Sequence, residues 1–418
     1  MSRSWLKIAV CLTAGLYLAP AANSMQWPQG KLLAPALVQS ALLSDKAHPE
    51  EVIVAAVTAI REDRLADADK LVDTLLSHRP NYRLAHLLKG DLLMARAQPL
   101  AGIGSSPFVD DKLNDLREEA NARLQRHSAP PPTDAIPANL LQLDPSQRYA
   151  VVVDAGSSRL FLYRNDAGVP RYVLDFYMTI GKLGFDKSRE GDQRTPLGVY
   201  FITGHMPREQ LDKTYGRLAE LYGVGAWPLS YPNDWDRQQG RTGSGIWLHG
   251  VPYDTYSRAP KASNGCVALS NPDMAALGEY LLPGTPVVIT PSIEWLSQAK
   301  WQARRSAAQA ELEAWRRDWE SLDTRNYLGH YASDFRSGKT ELAEWKAQKV
   351  AVNAGKQWAK IRLGELSLFS YPSSEGDLLM ANFLQDYRSS NLSNQSKKRL
   401  YFKREARDWR IVYEGALG

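Results

Sequence analysis

The sequence predicts a multidomain chain of mixed class, with an α-helical N-terminal domain, a mostly-β middle domain and an α+β C-terminal domain. Three observations carry that prediction. Apolar residues recur at helical spacing up to about residue 98, a proline run at residues 129–137 interrupts them, and beyond it the apolar period becomes two. A chain of 418 residues is too long for one ordinary core, and with 44% hydrophobic and 23% charged residues every part can bury apolar surface.

Residues 1–22 read as a secretory signal peptide, since Arg3 and Lys7 precede an apolar run over residues 8–18 and Ala19-Pro20-Ala21-Ala22 offers small residues for cleavage. That run falls short of the roughly 20 residues a spanning helix needs. The expectation is a periplasmic protein without an integral membrane span. Removing the signal removes Cys11 and leaves Cys266 as the lone cysteine. A lone cysteine in an exported chain is an intermolecular bridge, a buried apolar residue or a reactive thiol. The formal charge of +5, from 51 basic and 46 acidic residues, is too diffuse to point to nucleic acid.

The helical domain is expected over residues 25–128. Val52, Ala56 and Ile60, then Ala66, Leu71 and Leu75, then Leu84, Leu87 and Leu92 fall at helical spacing. The stretch with Ala66, Ala68, Leu75, Pro80, Tyr82, Ala85 and Gly90 resembles a tetratricopeptide repeat, which implies a homodimer contact, a groove for an envelope protein or a small self-contained bundle. Residues 129–146 read as a proline-rich linker. Alternating stretches at 149–154, 159–163, 172–179 and 198–203 open a β domain over residues 147–292. It closes with a helix begun by Asn271-Pro272-Asp273 and a strand at 286–290. A connecting helix is expected at 293–315. In residues 316–418 helical sequence precedes alternating stretches at 358–369, 377–387, 398–403 and 409–413, an order that resembles the cone-shaped fold of nuclear transport factor two.

The chemistry is concentrated in the β domain. Ile246-Trp247-Leu248-His249-Gly250 is followed, 17 positions after the histidine, by cysteine in Ser263-Asn264-Gly265-Cys266. A thiol is only a few per cent thiolate at neutral pH, so a nearby imidazole is the usual activator. Glycine before the nucleophile permits a tight turn that aims backbone N–H groups at a developing oxyanion. No His-Glu-x-x-His, cysteine cluster, Gly-x-x-x-x-Gly-Lys or Gly-x-Ser-x-Gly is present, so no metal or other cofactor is implied. His205 is the one rival base in this domain, and it lacks the following glycine.

These residues resemble the L,D-transpeptidase (YkuD) family, whose signature is His, a long gap, then Ser/Thr-x-Gly-Cys. Tyr149-Ala-Val-Val-Val-Asp154, Leu160-Phe-Leu-Tyr163 and Thr195-Pro196-Leu197-Gly198 resemble its opening strands and turn. The resemblance implies Cys266 as acyl-accepting nucleophile and His249 as base, with the Gly250 carbonyl orienting the imidazole and N–H groups near Gly265 and Cys266 forming the oxyanion hole. It also implies Ser263 and Asn264 lining the site, and peptidoglycan stem peptides as substrate. Many members carry His before Gly-Cys and Arg two places after the cysteine; here Asn264 and Ala268 stand there. Arg241, Arg258 and Lys261 are the substitutes available to hold substrate carboxylates.

Residues 206–245 form an insertion rich in aromatics, among them Tyr215, Tyr222, Trp227, Tyr231 and Trp235, and it reads equally as a substrate groove or an aromatic mini-core. With the helical front and cone-like tail it resembles the three-part helical-cell-shape L,D-carboxypeptidases of the same family. An amine acceptor makes the enzyme a transpeptidase and water makes it a carboxypeptidase; a non-catalytic wall adaptor is the reading of another class. Two further expectations concern the tail: residues up to 292 keep their thiol chemistry alone, and Lys397, Lys398, Arg399, Lys403, Arg404, Arg407 and Arg410 are either a solvated face or an anion-binding surface.

Overall fold

The computed structural model describes residue 39 and residues 48–100, 102–105, 110–374 and 376–417. The expected signal peptide lies outside them. Among the described residues no helix is long and apolar enough to cross a membrane.

Among the described residues the N-terminal part contains the helices Pro49–Arg61, Leu65–His78, Arg83–Ala95 and Asp111–Ser128. Pro49 starts the first with Glu50 and Glu51 in its first turn, and the Asp110 carboxylate caps the last by accepting from the Lys112 N–H. Alanines at 56, 59, 68 and 85 let the helices approach closely around Val52, Leu71, Leu75, Leu84 and Leu88.

The middle part is built on a five-stranded sheet in the order Val169–Tyr177, Arg159–Asp166, Tyr149–Asp154, Pro286–Thr290, Gly198–Phe201. Its three interior strands are buried on both faces. Val151, Val153, Leu160, Leu162, Val287 and Ile289 face the core beneath the candidate site, while Ala150, Val152, Phe161, Tyr163 and Val288 face the opposite way. That second face is covered by the C-terminal domain.

In the C-terminal domain the helix Gln298–Glu320, capped by Ser297, packs Leu312, Trp315 and Trp319 into the hollow of a seven-stranded sheet. The opposite face of that sheet presents Phe369, Tyr371, Leu378, Met380, Tyr401 and Val412 to the catalytic sheet. At Gly198, with φ of +151°, the backbone meets the Tyr371 hydroxyl so closely that a β-carbon would collide with it.

Two boundaries differ from the sequence reading. Residues 129–146 are no free linker: Ala135–Pro137 pairs with Trp295–Ser297, and Leu140–Gln142 is the edge strand of the C-terminal sheet, beside Leu368 and Phe369. Ile136, Ala138, Leu140, Leu141 and Leu143 are all buried, and a strand edge accommodates the proline that a central position would reject. The connecting helix expected at 293–315 begins instead at Gln298 and continues to Glu320 as the core helix of the tail.

Candidate active site

Strand Trp247–His249 lies between Gly225–Pro228, antiparallel, and Val267–Ala268, parallel. Parallel pairing places Leu248 beside Val267 and His249 beside Ala268, so the residue that enters the neighbouring strand is Cys266. Histidine, at the end of one strand, and cysteine, immediately before its neighbour, are 17 positions apart in sequence but only two register steps apart in the sheet. The Leu269 N–H donates to the His249 carbonyl at 3.0 Å and pins that register.

His249 is buried, and its Nδ1 lies 2.5 Å from the Gly250 carbonyl oxygen. A carbonyl only accepts, so Nδ1 carries the hydrogen and Nε2 holds the free lone pair. The Tyr222 ring packs edge-on against the imidazole at 5.2 Å. Burial lowers the His249 pKa to about 4, and the charge of Arg258 acts in the same direction. The Cys266 thiol is half-buried and donates to the Gly245 carbonyl at 3.4 Å. Burial pushes its pKa up, against the Trp247 N–H and the charges of Arg258 and Lys187. At neutral pH the pair therefore rests as thiol and neutral imidazole.

The cysteine turn is held by hydroxyls. Ser263 Oγ donates to the Cys266 carbonyl at 2.6 Å and accepts from the Gly265 N–H at 3.1 Å, while Thr195 Oγ1 donates to the Gly265 carbonyl at 2.9 Å. Gly265 adopts φ of +120°, and a β-carbon there would lie 2.8 Å from the Arg194 carbonyl oxygen. The Gly265 N–H is thus occupied and gives nothing to an oxyanion. The Cys266 N–H makes no hydrogen bond among the described residues and remains available.

The other sequence-designated residues separate clearly. Asn264 is exposed on the turn, whereas Ser263 is buried and engaged with backbone. Tyr231 is buried, donating to the Thr242 carbonyl at 2.9 Å, and Arg241 is held by Asp186 and Asp236, both at 3.5 Å. These two staple the insertion rather than face an open cleft. His205 stacks on Trp227 at 4.3 Å. Tyr215 and Tyr222 cluster with Trp247, and Tyr222 walls the imidazole, so the insertion is part mini-core and part wall of the site.

Arg258 is the residue whose place the sequence understated. Its guanidinium donates to the Ala262 carbonyl at 3.1 Å and its carbonyl accepts from the Tyr177 hydroxyl at 2.7 Å, while its N–H donates to the buried Glu119 carboxylate. The N-terminal helices grip the same loop. Ser257 Oγ accepts from the Leu84 N–H at 2.8 Å, and the Tyr256 ring meets Tyr82 at 5.7 Å. Its position between His249 and Cys266 was the one signal that could have singled it out.

Residues 148–289 match the model of the L,D-transpeptidase catalytic domain, YkuD, and residues 307–415 match that of the Cds6 C-terminal NTF2-like domain. No curated protein matches the sequence. Bd1075 of Bdellovibrio bacteriovorus is similar in structure, with 26% identity and a TM-score of 0.58 over 68% of this chain and 98% of that one. The helical cell shape determining protein Pgp2 of Campylobacter jejuni shares the fold at 23% identity, with a TM-score of 0.54 over 66% of this chain and 95% of that one. The chain therefore carries an L,D-transpeptidase catalytic domain of the YkuD family, set between N-terminal helices and an NTF2-like C-terminal domain.

Proposed function

We propose that the protein is a periplasmic cysteine acyltransferase acting on peptidoglycan tetrapeptide stems. The observation that carries the reading is the buried Nδ1–H of His249 on the Gly250 carbonyl, which leaves Nε2 as a base on the strand beside Cys266. As the stem enters, Nε2 takes the Cys266 proton while Sγ attacks the carbonyl after the L-centre of the diamino acid. The Cys266 N–H holds the oxyanion. The C–N bond breaks, His249 returns the proton to the departing D-amino acid, and a thioester remains on Cys266. An amine acceptor then takes the acyl group and releases the thiol, forming a cross-link or attachment. With water as acceptor the product is a tripeptide stem, a second reading that rests on the likeness in fold to a helical cell shape determining protein.

Weighing the products of the protein incubated with purified muropeptides separates the outcomes: dimers for an amine acceptor, tripeptides for water. Cys266→Ser should abolish both, and His249→Ala should lower kcat/KM about 10²–10⁴-fold with the fold intact by circular dichroism. Substantial turnover in either folded variant sinks the mechanism. Native protein that binds sacculi but yields no product identifies a non-catalytic adaptor.

A further inference from the structure

The C-terminal sheet carries two groups of cations in different electrostatic states. In the strand Ser393–Glu405 and its neighbour most are matched: Lys397 with Glu365 at 3.0 Å, Lys398 with buried Glu414 at 3.2 Å, Arg399 with Asp234 at 3.1 Å, Lys403 with Asp334 at 2.8 Å, and Arg410 with Asp408 at 3.0 Å. Those ion pairs brace the fold. At the far end of the sheet, Lys360 stands directly opposite Arg388, and Arg362 opposite Asp386. The alternate residues Ala359, Ile361 and Tyr387 point into the helix-packed core, so Trp358, Lys360, Arg362, Asp386 and Arg388 share the other face.

There they line a hollow of about 490 Å³, in which Trp358 is 47% exposed. Asp386 is the one carboxylate in that lining, and it already accepts from Arg388 at 3.3 Å. Three cations thus share one anion. Like charges directly opposite each other destabilise a strand pair, and a bound anion relieves the repulsion.

We propose that this hollow binds a carboxylate-bearing saccharide of the wall, with a pyranose ring against Trp358 and its carboxylate between Lys360 and Arg388. The proposal rests on the wall-acting reading above. A flat indole offers an apolar face to the C–H groups of a sugar ring, and the adjacent ammonium and guanidinium supply charge-assisted hydrogen bonds to a carboxylate. In wall glycan such a carboxylate is the lactyl group freed when a stem peptide is cut away. A stem peptide has carboxylates but no flat apolar ring, and leaves Trp358 uncovered. The same sheet face, further along at Phe369, Tyr371 and Met380, is packed on the catalytic domain, so glycan held here is tethered to the body that carries Cys266.

The test uses the full chain and glycan strands stripped of their peptides, which bind at the hollow but offer the cysteine nothing to attack. Calorimetry should show binding that weakens with salt, and about tenfold weaker binding for Lys360→Gln/Arg388→Gln and for Trp358→Ala. Methyl-esterified glycan should bind about as poorly, since it lacks the charge that those hydrogen bonds require. Turnover of small soluble muropeptides should be unchanged in the variants. Undiminished glycan binding in both variants, equal binding of the ester, or binding of free stem peptide without binding of glycan each overturns the proposal. Loss of muropeptide turnover in the folded variants also overturns it, by assigning the hollow to the substrate path. Glycan binding as expected in a protein that turns over no muropeptide leaves this site standing and removes only the enzymatic reading.

Discussion

The two flanking parts hold the catalytic domain by opposite means. The C-terminal sheet covers it with apolar side chains: Phe369, Tyr371, Leu378, Met380, Tyr401 and Val412 against Val152, Phe161, Tyr163, Val199 and Trp235. The N-terminal helices hold it largely through charge. Arg126 joins Glu50 to Asp175, which Arg159 also reaches at 3.0 Å, and Arg123, paired within the helices with buried Glu50 and Glu119, donates to the Tyr256 carbonyl at 3.4 Å and lies over the Tyr177 ring. Against burial, which raises it, Arg126 and Arg159 keep the Asp175 carboxyl below the usual range. An apolar interface is non-directional and contributes stability in proportion to area, whereas a buried charge network contributes little net stability and fixes one arrangement. The tail is thus a second half of the core, and the helices are a latch on the catalytic loop.

The largest expected effect follows from removing the tail. The sequence reading treats residues up to 292 as a domain that keeps its thiol chemistry alone; the burial of its interior strands on both faces predicts the opposite. Each large side chain so exposed forfeits about 1.5–3 kcal/mol, and several together exceed the roughly 5–15 kcal/mol that holds a domain folded. A chain ending at Ser292 should be insoluble or bind hydrophobic dye without a cooperative melt. A soluble, cooperatively melting product breaks the comparison.

Arg123→Ala should cost less, about 3–5 kcal/mol, because it strands the Glu50 and Glu119 carboxylates in an apolar surround. Replacing all three by apolar residues, Arg123→Met with Glu50→Leu and Glu119→Leu, should restore most of the melting temperature. If the single variant melts like the native chain, the network is peripheral and the helices are held by something else.

How far the sequence disclosed this arrangement depended on the range of the interaction. His249 and Cys266 were legible because the Gly-Cys turn and the His-Gly strand end are local, and one strand pairing joins them. The helices were legible from their period. The sheet-on-sheet contact left a trace too: Ala150 to Val153 is an unbroken apolar run, which marks a strand covered on both sides. Leu140–Gln142 was hidden because a three-residue edge strand beside prolines carries no period, and its partners Leu368 and Phe369 lie more than two hundred positions away. Tyr231 and Arg241 drew attention as residue types suited to a groove; only their partners Thr242, Asp186 and Asp236 reveal them as staples.

The smallest effect sharpens the latch. Arg258 is fixed from three sides, by Glu119 on a helix, Tyr177 on the sheet and Ala262 on the approach to the cysteine, and its charge depresses the His249 pKa after burial has done most of that work. The base acts only as neutral imidazole, so activity should fall as pH drops through about 4 rather than through the ordinary histidine range near 6.5. Arg258→Gln removes one reason for imidazolium to be disfavoured and leaves burial in place. The acid limb of kcat/KM should therefore move up, while staying below 6.5, and the thiol, deprived of a cation, should alkylate more slowly at alkaline pH. If Arg258 also holds a substrate carboxylate, KM rises in the same variant by about tenfold, the scale of one charge-assisted hydrogen bond. Ser257→Ala loosens the same loop by removing the acceptor of the Leu84 N–H, and should move the acid limb the same way by less. An acid limb unmoved by Arg258→Gln places that charge too far from His249 to tune it and reduces the helical latch to a purely structural one.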